Sequence, residues 1–337
     1  MPSRFFTIRL LSVLLSLAGA DQVAVAADNP FVGAWELSIS GSGAGWLGIK
    51  ESGDHLEASM MWIAGSVEPV ASAKIEDGKL VVTREHFVEQ KKPDGSKVKK
   101  KITQTITGTF GDKLILTSVT PHENDQGVER VELTGKRSPP MPLAPDLSKV
   151  KFGAPIHLFN GKDLTGWRLT DPKAVNGWSA KEGLLVNTAA QEEGKPHKQF
   201  GNLRTDREFE DFNLTLQVKV SEKQNSGIYL RGIYEVQVEE CYGQPPTTHN
   251  MGCIYSRIQP TKNTSKPGGE WQSFDITLVD RHVTVVLNGT KIIDNQPVEG
   301  CTGGALWSDV SRPGPIYLQG DHTSVEYRDI DLRPVLK

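Results

Sequence analysis

The chain lacks most of the features that would declare its class. Only three cysteines, Cys241, Cys253 and Cys301, occur in 337 residues, and their spacing fits no zinc pattern. Charge of neither sign is in excess: 38 Lys and Arg stand against 41 Asp and Glu, a net charge of −3. With no basic field to gather phosphates, nucleic acid is excluded as a partner class. Beyond the first residues no run of about 18 apolar residues occurs, which argues against a membrane-inserted helix. Helical periodicity is nearly absent too. Glycine (33) and proline (20) are plentiful instead, as expected of short strands joined by turns.

Arg4 and Arg9 flank the start of an apolar run, Leu10 to Ala18, and Ala24-Val25-Ala26 reads as a processing site ahead of Ala27. Residues 1–26 are therefore expected to be an export signal, and the mature protein to be soluble and periplasmic or secreted. Outside the cytosol three cysteines allow one bridge and leave one thiol over. Cys241–Cys253 would close a short loop, but the sequence leaves all three pairings open.

The remaining chain divides in two on either side of a proline-rich stretch, consistent with about 100–200 residues per domain. Residues 27–137 alternate apolar and polar side chains between turn signals such as Glu76-Asp77-Gly78 and Pro93-Asp94-Gly95. They predict a small antiparallel meander or barrel. Gly33-Ala34-Trp35 resembles the opening of lipocalin-like barrels, where the tryptophan is structural. Lys91 to Lys101 reads as the solvated tip of a long hairpin. Residues 138–150, with Pro139, Pro140, Pro142 and Pro145, predict an extended linker and a boundary with few crossing contacts. From 151 to 337 longer alternating strands return. Phe212 to Val220 is one, and Asn288-Gly289 between two strands is a strong hairpin signal. The whole is all-β, its second part a large two-sheet jelly-roll sandwich.

Chemistry concentrates on Tyr234-Glu235-Val236-Gln237-Val238-Glu239. Alternation puts Tyr234, Val236 and Val238 on a core face, and Glu235, Gln237 and Glu239 on the other. Carboxylates neighbouring one another without a cation raise one another's pKa, which is how a general acid or base is poised. Arg231, just upstream, is the candidate cation for that face and for a developing oxyanion. Gln319 and His322 sit at a glycine-broken strand end, where ligands often approach.

The second part resembles the 3-keto-disaccharide hydrolase family. The resemblance runs from about Pro155 to Pro334. It is carried by Leu158-Phe159-Asn160-Gly161-Lys162-Asp163-Leu164-Thr165-Gly166-Trp167, Asn225-Ser226-Gly227-Ile228 with Arg231, and Tyr234-Glu235-Val236-Gln237-Val238. Lys266-Pro267-Gly268-Gly269-Glu270-Trp271, Leu287-Asn288-Gly289 and Gly314-Pro315-Ile316-Tyr317-Leu318-Gln319 with His322, closed by Tyr327-Arg328-Asp329-Ile330, complete it. The resemblance implies a concanavalin A-like jelly roll, and activity on glycosides whose glucosyl C3 carries a ketone. The chain departs from the family near its end, where Gly320-Asp321 precedes His322; the extra residue is expected to form a bulge that re-aims the imidazole.

A C3 ketone acidifies the C2 proton and lets the C1 substituent leave by elimination, after which water adds back. The expected roles are Glu235 or His322 as base, Arg231 at the enolate oxygen and Glu239 as acid. Gln237, Glu239, Tyr255, Lys266 and Gln319 would hold hydroxyls. No cofactor is required. A divalent ion among Glu235, Glu239 and His322 is compatible with such chemistry. An upstream oxidoreductase would supply the keto sugar. Two rival readings stand beside this one. A retaining glucanase-like glycosidase on the same fold is weakened because Gln237 replaces an aspartate. A non-catalytic carbohydrate-binding module is weakened because the face is richer in carboxylate than in aromatics.

Overall fold

A computed structural model describes residues 29–39, 43–91, 96–124, 126–191, 196 and 198–336. The expected export signal and the Pro93-Asp94-Gly95 turn lie outside the described residues. Every regular element among the described residues is a strand, so the chain is all-β.

Nine strands come first: β1 (Gly33–Ile39), β2 (Gly43–Ser52), β3 (His55–Met61), β4 (Glu68–Pro69), β5 (Ser72–Glu76), β6 (Lys79–Lys91), β7 (Lys97–Phe110), β8 (Leu114–Pro121) and β9 (Val128–Arg137). Antiparallel pairing runs β2-β1-β9-β8-β7-β6-β5-β3, and β3 pairs back onto β2, which closes an eight-stranded barrel with β4 appended to β3. Closure removes the sheet edges that would otherwise template aggregation. Leu37, Leu47, Met60, Leu80, Ile106 and Leu116 fill the interior, all buried. Trp35 plugs it, donating from Nε1 to Phe31 O at 2.8 Å, with the Arg137 guanidinium 4.3 Å from its ring. β6 and β7 form one long hairpin, and Lys97–Glu89 and Lys101–Glu85 ion pairs lie along its outer half.

The second part holds β10 (Ile156–His157), β11 (Trp167–Leu169), β12 (Trp178–Lys181), β13 (Leu184–Asn187), β14 (Leu203–Thr205), β15 (Phe212–Val220), β16 (Asn225–Leu230), β17 (Tyr234–Glu239), β18 (Gln272–Val279), β19 (His282–Leu287), β20 (Thr290–Pro297), β21 (Tyr317–Leu318) and β22 (Val325–Pro334). Two antiparallel sheets result. One runs β12-β13-β22-β15-β18-β19-β20 with β10 on β22; the other runs β11-β14-β21-β16-β17. β15 shows strict alternation, with Phe212, Leu214, Leu216 and Val218 turned into the core. The β19–β20 turn places Asn288 and Gly289 at φ 52° and 77°, the left-handed pair that a tight hairpin demands.

The linker does not isolate the two parts. Ala44, Trp46 and Met61 of the barrel belong to the sandwich's hydrophobic core, and the Arg257 guanidinium lies 4.5 Å from the Trp46 ring. Arg281 donates to Pro139 O at 2.9 Å. Residues 31–337 cluster as one compact unit. The expectation of few crossing contacts therefore fails. The barrel's outer face carries apolar side chains that pack into the sandwich core, and local alternation cannot show that. All three cysteines are buried, unbridged thiols.

Candidate active site

β17 ends the five-stranded sheet, so one side of its backbone has no partner strand. Free strand edges must be satisfied or covered. Here segment 252–255 does so: Gln237 N donates to Cys253 O, Gly252 N to Gln237 O and Tyr255 N to Glu235 O, at 2.8–3.1 Å. Further along the same edge Thr302 Oγ1 accepts from Glu235 N at 2.9 Å, and Thr302 N donates to Ile233 O. These two segments bury what the sequence presents as an open polar face. Glu235 is 3% exposed and Gln237 5%.

Strand register sets the neighbours of Glu235. It lies opposite Tyr229 on β16, which lies opposite Tyr317 on β21. The two tyrosine rings stack at 4.1 Å between centroids. Tyr229 donates to Gly303 O at 2.6 Å, and Asn202 Nδ2 donates to the Tyr317 hydroxyl at 3.1 Å. Gly227 leaves the room the carboxyl occupies, for a Cβ there would collide with Glu235 Oε1. Burial pushes the Glu235 carboxyl up to about 8, and the Asp321 carboxylate adds to the rise. A Tyr229 proton would draw it back, but the single hydroxyl hydrogen is already given to Gly303 O. Among the described residues no cation pairs with Glu235. The Gln237 amide turns its nitrogen toward Ser226 O (3.0 Å) and Glu235 Oε1 (3.3 Å).

Partly exposed groups surround this buried carboxyl. Glu239 ends β17, its carboxyl raised by burial. Tyr255 meets His249 edge-on at 4.9 Å. Gln319 follows β21 opposite Gly227, its backbone N–H bonded to Gly227 O. Asp321 Oδ1, Asn225 Oδ1 and Gln224 Oε1 are buried acceptors with no hydrogen-bond partner among the described residues. Unsatisfied buried acceptors are costly. A cluster of them around one strand pair suits a ligand rich in hydroxyl donors.

The structure thus gathers Glu235, Gln237, Glu239, Tyr255 and Gln319. Three expectations need correction. Arg231 is buried, but its guanidinium donates to Val310 O and Arg312 O at 2.5–3.1 Å. It sits at φ 54° in the turn between β16 and β17, which aims it at the 310–312 loop and away from an oxyanion role. Lys266 is exposed and donates to Trp271 O, with no contact to the carboxyl cluster. His322 is half exposed on a bend, its Nδ1 3.4 Å from Asp321 Oδ1, so it flanks the site through Asp321. The irregularity on β22 falls opposite Thr215 and Gln217, where Asp329 adopts φ 53°, not at His322. Trp271 lies between the Lys219 and Arg328 cations, 5.0 and 4.0 Å from its ring. Sequence reasoning missed Tyr229, Tyr317 and Asp321. Tyr229 was findable, since alternation from Asn225 and Gly227 puts it on the same face.

Among the described residues no three His, Cys, Asp or Glu side chains group as metal ligands. A 970 Å³ cavity lies between the barrel wall and the linker, lined by residues that include Trp46, Leu56, Pro140 and Arg281; Glu235 is not among them.

These features belong to a sugar-processing jelly roll. The 3-keto-alpha-glucoside-1,2-lyase-like domain family matches residues 154–333, more than half of the chain, and the chain belongs to that family. Among solved structures it is similar to two candidate glycosyl hydrolases of Parabacteroides distasonis ATCC 8503. One is 29% identical, over 57% of this chain and 92% of that one, with a TM-score of 0.44. The other is 23% identical, over 54% and 94%, with a TM-score of 0.46. The kappa-carrageenase of Pseudoalteromonas carrageenovora is 11% identical over 58% and 98%, with a TM-score of 0.35. No curated protein matches the chain.

Proposed function

We propose that the protein is an exported enzyme that cleaves 3-keto-glucosides by elimination and rehydration, with Glu235 as the proton-transfer group. The observation that supports this most is a carboxyl buried without a cation. Its affinity for protons is lifted to about 8, into the range where it exchanges protons with a carbon acid at neutral to mildly alkaline pH. A ketone at C3 makes the C2 hydrogen such a carbon acid. Ionised Glu235 takes that proton, the electron pair moves onto the ketone oxygen as an enolate, and the enolate expels the C1 substituent. Glu239, partly exposed and also raised, gives the leaving oxygen its proton. Water adding across the C1–C2 alkene completes a net hydrolysis. The buried acceptors of Asn225, Gln224 and Asp321 receive sugar hydroxyls. The substrate's ketone has to be made by a separate alcohol-oxidising enzyme.

The test is incubation of the purified protein with 3-keto-trehalose or an aryl 3-keto-glucoside in D₂O, following aglycone release and deuterium at C2. Release with C2 exchange, and none from the unoxidised glucoside, is expected. Equal release from the unoxidised sugar without exchange would replace elimination by ordinary glycoside hydrolysis.

A further inference from the structure

We propose that the barrel is a working part of this site, with Ser66 as a positioning residue for the His249 ring beside Tyr255. The inference rests on the function proposed above for the site, but not on which sugar is cleaved.

The β3–β4 connection of the barrel carries Ala64 and Gly65, at φ 43° and 94°. These left-handed residues turn the chain out of the barrel wall. Gly65 then lies against Gly303 so closely that a Cβ on Gly303 would strike the Gly65 carbonyl. Gly303 is the residue whose carbonyl receives the Tyr229 hydroxyl, next to Glu235. The following residue, Ser66, places its Oγ 2.8 Å from His249 Nε2, and Val67 N donates to Ser256 Oγ at 2.6 Å. One barrel loop therefore touches both segments that cover β17: the 302–304 stretch and the 248–256 stretch.

His249 is held at both nitrogens, by Ser66 at Nε2 and by Thr248 Oγ1 at Nδ1, 3.1 Å away. Its ring meets Tyr255 edge-on at 4.9 Å between centroids, and the Tyr255 N–H donates to Glu235 O. A half-buried imidazole fixed this way presents one orientation to the Tyr255 ring; without Ser66 it regains rotational freedom. Supporting hydrogen bonds of this kind decide whether a catalytic group sits in productive geometry. The sandwich alone does not supply the Nε2 partner, for it comes from a residue 183 positions earlier in the chain.

The experiment uses the full chain with Ser66→Ala, Ser66→Thr, His249→Gln and the Ser66→Ala/His249→Gln double variant. Expected is a fall in kcat of roughly 10-fold, and at most about 10²-fold, for Ser66→Ala. KM should change less, the melting temperature should hold, and Ser66→Thr should restore the rate. The double variant should be no slower than His249→Gln alone, because the serine acts through the histidine. Full additivity, or wild-type kcat in Ser66→Ala, overturns the proposal. A readout independent of substrate is the ¹⁵N resonance of the His249 ring, which should move in Ser66→Ala and return in Ser66→Thr. If the wild-type protein turns over no 3-keto-glucoside, the proposed activity fails, and this resonance still decides the role of Ser66: an unmoved signal ends it.

Discussion

Two buried glutamates, one in each part of the molecule, show what separates a joint from a reactive group. Glu36 in the barrel is 2% exposed and Glu235 in the sandwich 3%. Burial raises the proton affinity of both. Glu36, however, lies 3.6 Å from Lys136 Nζ and takes the Val310 N–H at Oε1. Its charge is compensated, and the contact fastens barrel to sandwich. Val310 O in turn receives Arg231, so one loop ties Glu36 and Arg231 into the same support. Glu235 has hydroxyl and amide neighbours but, among the described residues, no cation. Both carboxyls are closed off from solvent, but Glu36 is charge-compensated while Glu235 is more deeply enclosed and uncompensated, which leaves one structural and the other available for proton transfer.

The comparison breaks most readily on turnover. Glu235→Gln should lower the rate on a 3-keto-glucoside roughly 10²–10⁴-fold, the usual worth of a positioned acid or base, while the fold survives, because the amide replaces an already neutral carboxyl. Glu36→Gln should leave turnover close to wild type. A dead but folded Glu36→Gln protein, or an active Glu235→Gln protein, would dissolve the distinction.

A smaller effect is expected at Arg231. Replacing it with Met strands the Val310 and Arg312 carbonyls, at a cost of about 1–3 kcal/mol for each buried acceptor left unpaired. The denaturation midpoint should drop, and the folded fraction should keep its kcat. A variant of unchanged stability but much reduced turnover would return Arg231 to the substrate.

A further effect concerns pH. Glu235 binds its proton with a value of about 8 when folded, against 4.5 ordinarily. Between those values the folded state holds more proton than the unfolded one, so stability contributed by this group is full below about pH 4.5 and is lost as pH rises through 8. Denaturant titrations at several pH values should show that slope in the wild type, and a flatter one in Glu235→Gln. Identical slopes would mean that the carboxyl is solvated or paired.

Much of the fold is legible in the residues. The Asn288-Gly289 hairpin, the alternation of Phe212 to Val220 and the two faces of Tyr234 to Glu239 are local patterns, and local sterics and burial enforce them. The burial of the polar face of β17 was not legible, since it comes from segments far along the chain that return to cover a sheet edge. Arg231 was misread for a related reason. Its residue type fits an oxyanion partner, but a left-handed turn points it at a loop some 80 residues later. Lys266 lies in a matching motif and yet stays at the surface, because a motif preserves spacing and not direction.

The sequence by itself determined the strands, the two-part order, the family and the strand on which we place the proposed proton transfer, because side-chain periodicity and turn residues act over a few neighbours. Tertiary structure alone decided which carboxylate lost its water, which cation was spent on backbone carbonyls, and that a barrel loop reaches the site. Desolvation and charge compensation are sums over everything that packs around a group, and those neighbours, Gly303 and Tyr317 at Glu235 or Ser66 at His249, come together only when the chain has folded.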